Sequence, residues 1–441
     1  MKQFLLTLLL LIFSFSANAI SIISDEETES YLEDILTPIY KSANIPFKRE
    51  NIHIIKDDSL NAFVGDKNHM FVHTGTLLKA SNTNEIEGVL AHETGHILGG
   101  HILRLKIKIK DIQKASLASL VAAAGAAAVS GRGDTAIAIV LGAQSSAINA
   151  MSSYQITEER AADETAVSLL SNQNKSIQGL KNFMEKIRAE NRLQGIEETP
   201  YFRTHPITTE RISFFNDKLK NEKNPSNNQN LDKRLKRIQA KLFAYLSPTQ
   251  KVLNKYPLTD TSIEATIAHA IFYMRQKNLN ASNKYIDKLL SIEPENPYFW
   301  EIKAQNLFEN NAPKESIKAY KKALDLKPTS NLYKISYAEA ILRSSPTRKD
   351  LLPLIQLLEH ANRNQTEPIA FHLLGEVYAK LGDENTSNYF VAEYNSAIGN
   401  QELARKQLAK ALKNELPSHI KLRAQDLEQK LKSSDKKETL F

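Results

Sequence analysis

The sequence predicts a mainly α-helical chain in two parts: a mixed α+β domain built around a small sheet, then an α-solenoid of helical repeats. Three observations predict this. Short runs rich in β-branched and aromatic residues, at 51–55, 61–64 and 69–73, are bounded by turn residues and lie among helical patterns. A helix-like stretch at 87–96 carries two histidines and a glutamate as H-E-x-x-H. From about residue 263 small and apolar positions recur, with Pro294 and Pro328 marking a spacing of 34.

A chain of 441 residues is too long for one compact domain. Its formal charge of +7 is spread among nearly as many acids as bases, which excludes a dedicated nucleic-acid surface. The first residues read as a signal peptide over 1–19: Lys2 supplies the positive start, Phe4 to Phe15 the apolar run, and Ala17-Asn18-Ala19 the cleavage site. A retained anchor is the alternative, but the run is short for a bilayer span. Export predicts a periplasmic location. The absence of cysteine excludes disulfides, thiolate metal ligands and a cysteine nucleophile.

The first domain is predicted over 20–215. Residues 25–45 read as an amphipathic helix through Tyr31, Leu32, Ile35, Leu36 and Ile39. Three strands follow, with a turn at Gly65-Asp66-Lys67-Asn68 between the second and third. Their histidines, His53, His69 and His73, read as strand-surface residues. Residues 77–103 read as two helices, with N-cap candidates at 81–84 and an end at Gly99-Gly100.

His92 and His96 stand on one helical face, one turn apart, where two imidazoles can share a Zn²⁺ ion. Glu93 beside them is placed to hydrogen-bond a water at that ion. His101 comes one residue early for a metzincin third histidine, and on a continuous helix it points about 180° away from His92. It is therefore not expected to be a ligand. Residues 115–150 are small and apolar around a turn at 130–134, and read as a helical hairpin that either packs over the site or touches a membrane. Glu159 and Asp163 share a face of the next helix. One carboxylate could close the metal site while the other orients a ligand histidine. Glu158 competes as a ligand but has Ala162 where that partner would be. His205, held extended before Pro206, precedes a helix capped by Thr208 or Thr209.

Asn61-Ala62-Phe63, Phe71-Val72-His73-Thr74-Gly75, His92-Glu93-Thr94-Gly95-His96, Glu159-x-x-Ala162-Asp163 and His205-Pro206 occur in the order and spacing of M48 zinc metallopeptidases, and the chain resembles that family over most of 25–215. The resemblance implies a gluzincin-type fold and one zinc ion, with His92, His96 and Glu159 as ligands and Glu93 as catalytic base. It matches Asp163 to the acid behind a ligand histidine. It matches Asn61, Ala62 and Phe63 to the edge strand that receives an extended substrate. His205 has three candidate roles: donor to the oxyanion, fourth metal ligand acting as a gate, or a structural residue.

Residues 216–250 read as a polar linker and a connecting helix, 251–430 as tetratricopeptide-like repeats, and 431–441 as a charged tail. The best unit places Trp300, Ala304, Leu307, Tyr320, Ala323 and Pro328 at the repeat's offsets, with Ser316 at a usual alanine position. Residues 343–353 depart from register. A stacked solenoid offers a concave surface for protein. The combination resembles bacterial envelope proteases. It implies periplasmic protease and chaperone work on unfolded or misassembled envelope proteins, beside the outer-membrane barrel assembly machinery. The alternative is a non-proteolytic tetratricopeptide adaptor or chaperone with a structural metal site.

Overall fold

The computed structural model describes residues 21–130, 133–194, 201, 204–223, 225–226, 228–364, 367–413 and 415–438. The predicted signal peptide lies outside them. The chain divides into two units, 1–24 with 33–228, and 25–32 with 229–441.

In the first unit, β1 (Ile22–Ile23), β2 (Ile52–Ile55), β3 (Ala62–Val64) and β4 (Met70–His73) form one sheet in the order β1-β2-β4-β3. β2 and β4 are parallel, with Ile54 opposite Val72; β3 is antiparallel to β4, with Phe63 opposite Phe71. Alternation buries Ile52, Ile54, Met70, Val72 and Ala62 on one side. Only the two-residue β1 was not predicted, being too short to show a period.

α1 (Glu26–Ser42) belongs to the second unit as far as Leu32 and to the first from Glu33; the other helices of the first unit are α2 (Thr74–Lys79), α3 (Thr83–Gly99), α4 (His101–Ser130), α5 (Gly133–Ser171), α6 (Gln178–Gln194) and α7 (Thr209–Leu219). α3 is the central one: Ile86, Val89, Leu90 and Ala91 are fully buried. Asn82 caps it by accepting a hydrogen bond from the Glu85 amide, and Gly100 ends it in the left-handed region at φ 62°. The predicted hairpin is longer than expected. Its second arm and the helix bearing Glu159 are one element, α5, because no Gly or Pro between 143 and 171 breaks it. Among the described residues no helix is long and apolar enough to cross a membrane.

Besides residues 25–32, the second unit contains α8 (Gln229–Leu246) and α9 (Thr249–Lys255). Paired helices follow: α10 (Ile263–Arg275) with α11 (Leu279–Ile292), α12 (Pro297–Glu309) with α13 (Pro313–Leu326), α14 (Asn331–Arg343) with α15 (Arg348–Ala361), α16 (Pro368–Leu381) with α17 (Glu384–Ala397), and α18 (Gln401–Ala411) with α19 (Ser418–Glu438). The stretch read as out of register is helical, and the register does shift there: the pairs start at Ile263, Pro297 and Asn331 and then at Pro368, 37 residues on rather than 34; α15 contains Pro353 and starts from a capping box at Thr347 and Asp350. Ser316 is fully buried at its alanine position and returns its hydroxyl to the Pro313 carbonyl, 2.7 Å away. Residues 431–438, read as charged tail, continue α19, and Leu431 is buried.

Within this unit Lys241 is buried against Asp25 and Glu301. Burial opposes charge on all three, yet the attraction holds the Lys241 ammonium well above its usual pKa and Asp25 below its own.

Candidate metal centre

α5 crosses α3 at Gly95, where a Cβ would stand 2.8 Å from the Ala162 carbonyl oxygen. This close approach puts Glu159, one turn before Ala162, against both imidazoles of α3. Its Oε2 is 3.3 Å from His92 Nε2 and its Oε1 is 3.3 Å from His96 Nε2. The two Nε2 atoms are 3.1 Å apart. Metal–ligand distances of 2.0–2.1 Å give a tetrahedron edge of about 3.3 Å. Facing imidazole nitrogens with a carboxylate between them are a donor set that suits a divalent cation. His205 joins them: each of the four side chains offers a donor atom within 4.8 Å of the others, all buried.

The other ring nitrogens are held from behind. Asp163 Oδ1 lies 2.9 Å from His92 Nδ1, which turns Nε2 toward the cluster. Arg211 of α7 is buried and donates to both Asp163 oxygens, at 2.6 and 2.8 Å, and its Nη1 lies 2.7 Å from Glu159 Oε2. Thr208 caps α7 by accepting from the Arg211 amide. Burial raises the pKa of both acids, but Arg211 and the histidines outweigh it. Asp163 is held below the usual carboxylate range and Glu159 well below it. Arg211 was not singled out from the sequence. Its signal was indirect: two acids buried on one face require a cation.

Glu93 is buried, and burial pushes its pKa up. Its Oε1 makes no hydrogen bond and lies 3.7 Å from His205 Nε2. An unpartnered carboxylate oxygen beside the cluster can accept a proton. His205 is buried, its Nδ1 is 2.8 Å from Glu159 Oε1, and its ring stacks on Tyr201 with centroids 4.5 Å apart.

His101 is not one of the four clustered side chains, but it does not point away from them. The break at Gly100 starts α4 in a new direction and brings His101 Nδ1 to 2.6 Å from His96 Nδ1. Glu158, the competing ligand of the sequence reading, instead holds His101 Nε2 at 2.6 Å. His73 is not a strand-surface residue: it is buried and lies 2.9 Å from the Ser59 hydroxyl. His53 and His69 pair with each other at 2.6 Å, and neither reaches the cluster.

Among the described residues β3 pairs only with β4, which leaves it an edge strand. Asn61, Phe63 and Val64 line a cavity of about 460 Å³ together with Glu93, His96, Glu159 and His205. Ala62 is fully buried and does not line the cavity. An extended peptide in this cavity would have a strand edge on one side and Glu93 with the histidine cluster on another.

Residues 26–218 match the family model described as Peptidase family M48. The beta-barrel assembly-enhancing protease of Escherichia coli is 21% identical over 397 residues, covering 88% of this chain and 80% of that protein. Metalloprotease YcaL of Escherichia coli is 32% identical over 170 residues, 38% of this chain and 62% of its own length. The crystal structure of MamA covers 41% of this chain and 94% of its own, with a TM-score of 0.31 and 16% identity.

Proposed function

We propose that this chain, which belongs to peptidase family M48 through residues 26–218, is a zinc-dependent endopeptidase of the bacterial periplasm. Its substrates in this proposal are unfolded or misassembled envelope proteins, outer-membrane β-barrel proteins foremost. The observation that carries the proposal is the buried convergence of His92, His96 and Glu159 beside the unpartnered oxygen of Glu93. Two imidazoles and one carboxylate are a donor set typical of catalytic zinc, and an ion bound there would supply Lewis acidity toward a peptide carbonyl.

The roles of the residues follow from their placement. His92, His96 and Glu159 would hold the ion. Asp163 fixes the ring of His92, and Arg211 keeps both acids ionised. Glu93 takes a proton from the attacking water and passes it to the leaving amine. The edge strand β3 receives the substrate as an added strand, with the Asn61 and Phe63 side chains meeting its residues and Ala62 supplying backbone. His205 offers a donor atom within 4.8 Å of the other three and would serve as a fourth ligand that keeps the site closed at rest.

The named relative in barrel assembly supports the substrate class, and the repeats offer a surface for the client or for the barrel assembly machinery. Cleavage of an unfolded protein such as casein tests the proposal. It should stop with a chelator and return with zinc; cleavage indifferent to the chelator would overturn it. His205→Ala separates the roles of His205: a closing ligand predicts faster cleavage, an oxyanion donor slower.

A further inference from the structure

α4, the first arm of the α4–α5 hairpin, is built inside out for a water-exposed element. The more covered face of α4 carries Ile102, Leu105, Lys108, Ile112, Ser116, Ser119 and Ala123; beyond Ile112 that face is small. Its opposite face carries Leu103, Ile107, Lys110, Lys114, Leu117 and Val121, spaced four and three residues apart as one helical stripe. Leu103, Leu117 and Val121 are 66%, 65% and 67% exposed. On α5 the more covered positions include Ile139, Val140 and Met151 as well as Ala143 and Ala147, while Leu141 and Ile148 are exposed, so the inversion is carried by α4. A soluble hairpin puts its large apolar residues in the seam and its polar ones outside. Small residues in the seam and large apolar ones outside are the pattern of helices packed in an apolar solvent.

Charge identifies the solvent. No charged residue occurs in 115–131 or 135–157. The base of α4 carries Arg104, Lys106, Lys108, Lys110 and Lys114 against one acid, Asp111. Arg104 is paired with Glu158 and Lys106 with Asp66, whereas Lys108, Lys110 and Lys114 have no ion pair among the described residues. A lysine cluster adjoining an uncharged, outwardly apolar stretch complements anionic headgroups above a hydrocarbon layer. Neither helix is apolar enough to cross that layer.

We propose that the outer face of the α4–α5 hairpin seats on the surface of an anionic lipid bilayer, lying in the interface without spanning it. Ile102, Leu105 and Tyr154 at its base also line the 460 Å³ cavity, so the seated hairpin would hold the cavity beside the membrane surface. The inference does not depend on the chain being a protease.

The chain has no cysteine, so a single introduced one reports its own position. An environment-sensitive dye is attached to Val121→Cys, or to Leu422→Cys in α19 as a control, in the full chain carrying Glu93→Gln. Vesicles of phosphatidylglycerol with phosphatidylcholine are compared with phosphatidylcholine alone. The expected result is a blue shift at position 121 with the anionic vesicles only, and none at 422. Each lysine near such a surface contributes about 1 kcal/mol, so Lys110→Gln with Lys114→Gln should weaken the partitioning about thirtyfold. No shift at 121, an equal shift at both sites, partitioning unchanged by the lysine substitutions, or a shift at 121 only when casein is added would overturn the proposal; the last would make this face a protein-docking surface.

Discussion

Gly95→Ala tests whether helix spacing sets the metal site. The added Cβ would stand 2.8 Å from the Ala162 carbonyl oxygen and 3.0 Å from its Cα. Relaxed contacts of this kind are about 3.5–4.0 Å, so α3 and α5 must part by roughly 0.5–1 Å. His92 and His96 ride on one helix and Glu159 on the other, while metal–ligand distances tolerate only about ±0.2 Å. Overpacking costs about 1–3 kcal/mol, offset by about 1 kcal/mol of helix propensity, so net stability falls by roughly 0–2 kcal/mol. Metal affinity should fall further, by about tenfold or more, since a loss of about 1.4 kcal/mol at the ion already has that effect. Zinc affinity by chelator competition, with denaturant unfolding in parallel, separates the two. Gly142→Ala on α5 is the control: no atom lies near its Cβ, so it should leave zinc binding unchanged. Wild-type zinc affinity in Gly95→Ala would refute the reasoning.

Other perturbations have equally defined outcomes. Asp163→Asn should weaken zinc binding by about 10- to 100-fold, because the carboxylate that orients His92 is lost. Arg211→Met should destabilise the first unit by about 3–5 kcal/mol in denaturant unfolding, since it leaves Glu159 and Asp163 buried without their cation. Lys241→Met should cost the second unit a similar amount, about 3–5 kcal/mol, by stranding Asp25 and Glu301. Asp25 supplies a pH test. Its folded pKa is below the ordinary 3.8, so its contribution is complete above that value and is lost as pH falls through the folded pKa. The stability gap between wild type and Asp25→Asn should be constant from pH 7 to 5 and shrink below pH 3.8; a gap unchanged at pH 2.5 would contradict this.

Much of the protease unit was legible because its signals are local. Strand periods, the Asn82 cap, the glycine stop and H-E-x-x-H are each written within a few residues. The break at Gly100 was legible as well, but its consequence was not. Treating 92–101 as one helix put His101 on the wrong side, whereas a left-handed residue redirects the chain and sets His101 against His96. Arg211 escaped notice because one arginine among 57 basic residues carries no local mark. Only the pairing of Glu159 with Asp163 creates the charge it answers. In the repeats, the 34-residue spacing survived Ser316 because a buried hydroxyl can bond its own helix, whereas the pair that contains Pro353 lengthens the spacing to 37, as the break in register had signalled. The inversion of α4 was invisible until the structure showed which of its faces is covered.

The central claim is that Glu93 performs proton transfer at a zinc ion held by His92, His96 and Glu159. The most direct test measures metal content and cleavage of unfolded protein on the same Glu93→Gln sample. The predicted result is bound zinc equal to wild type with cleavage abolished, because the amide keeps the shape of the side chain and loses the base. Glu93→Gln that cleaves at the wild-type rate, or a wild-type chain that cleaves with no bound metal, would contradict it.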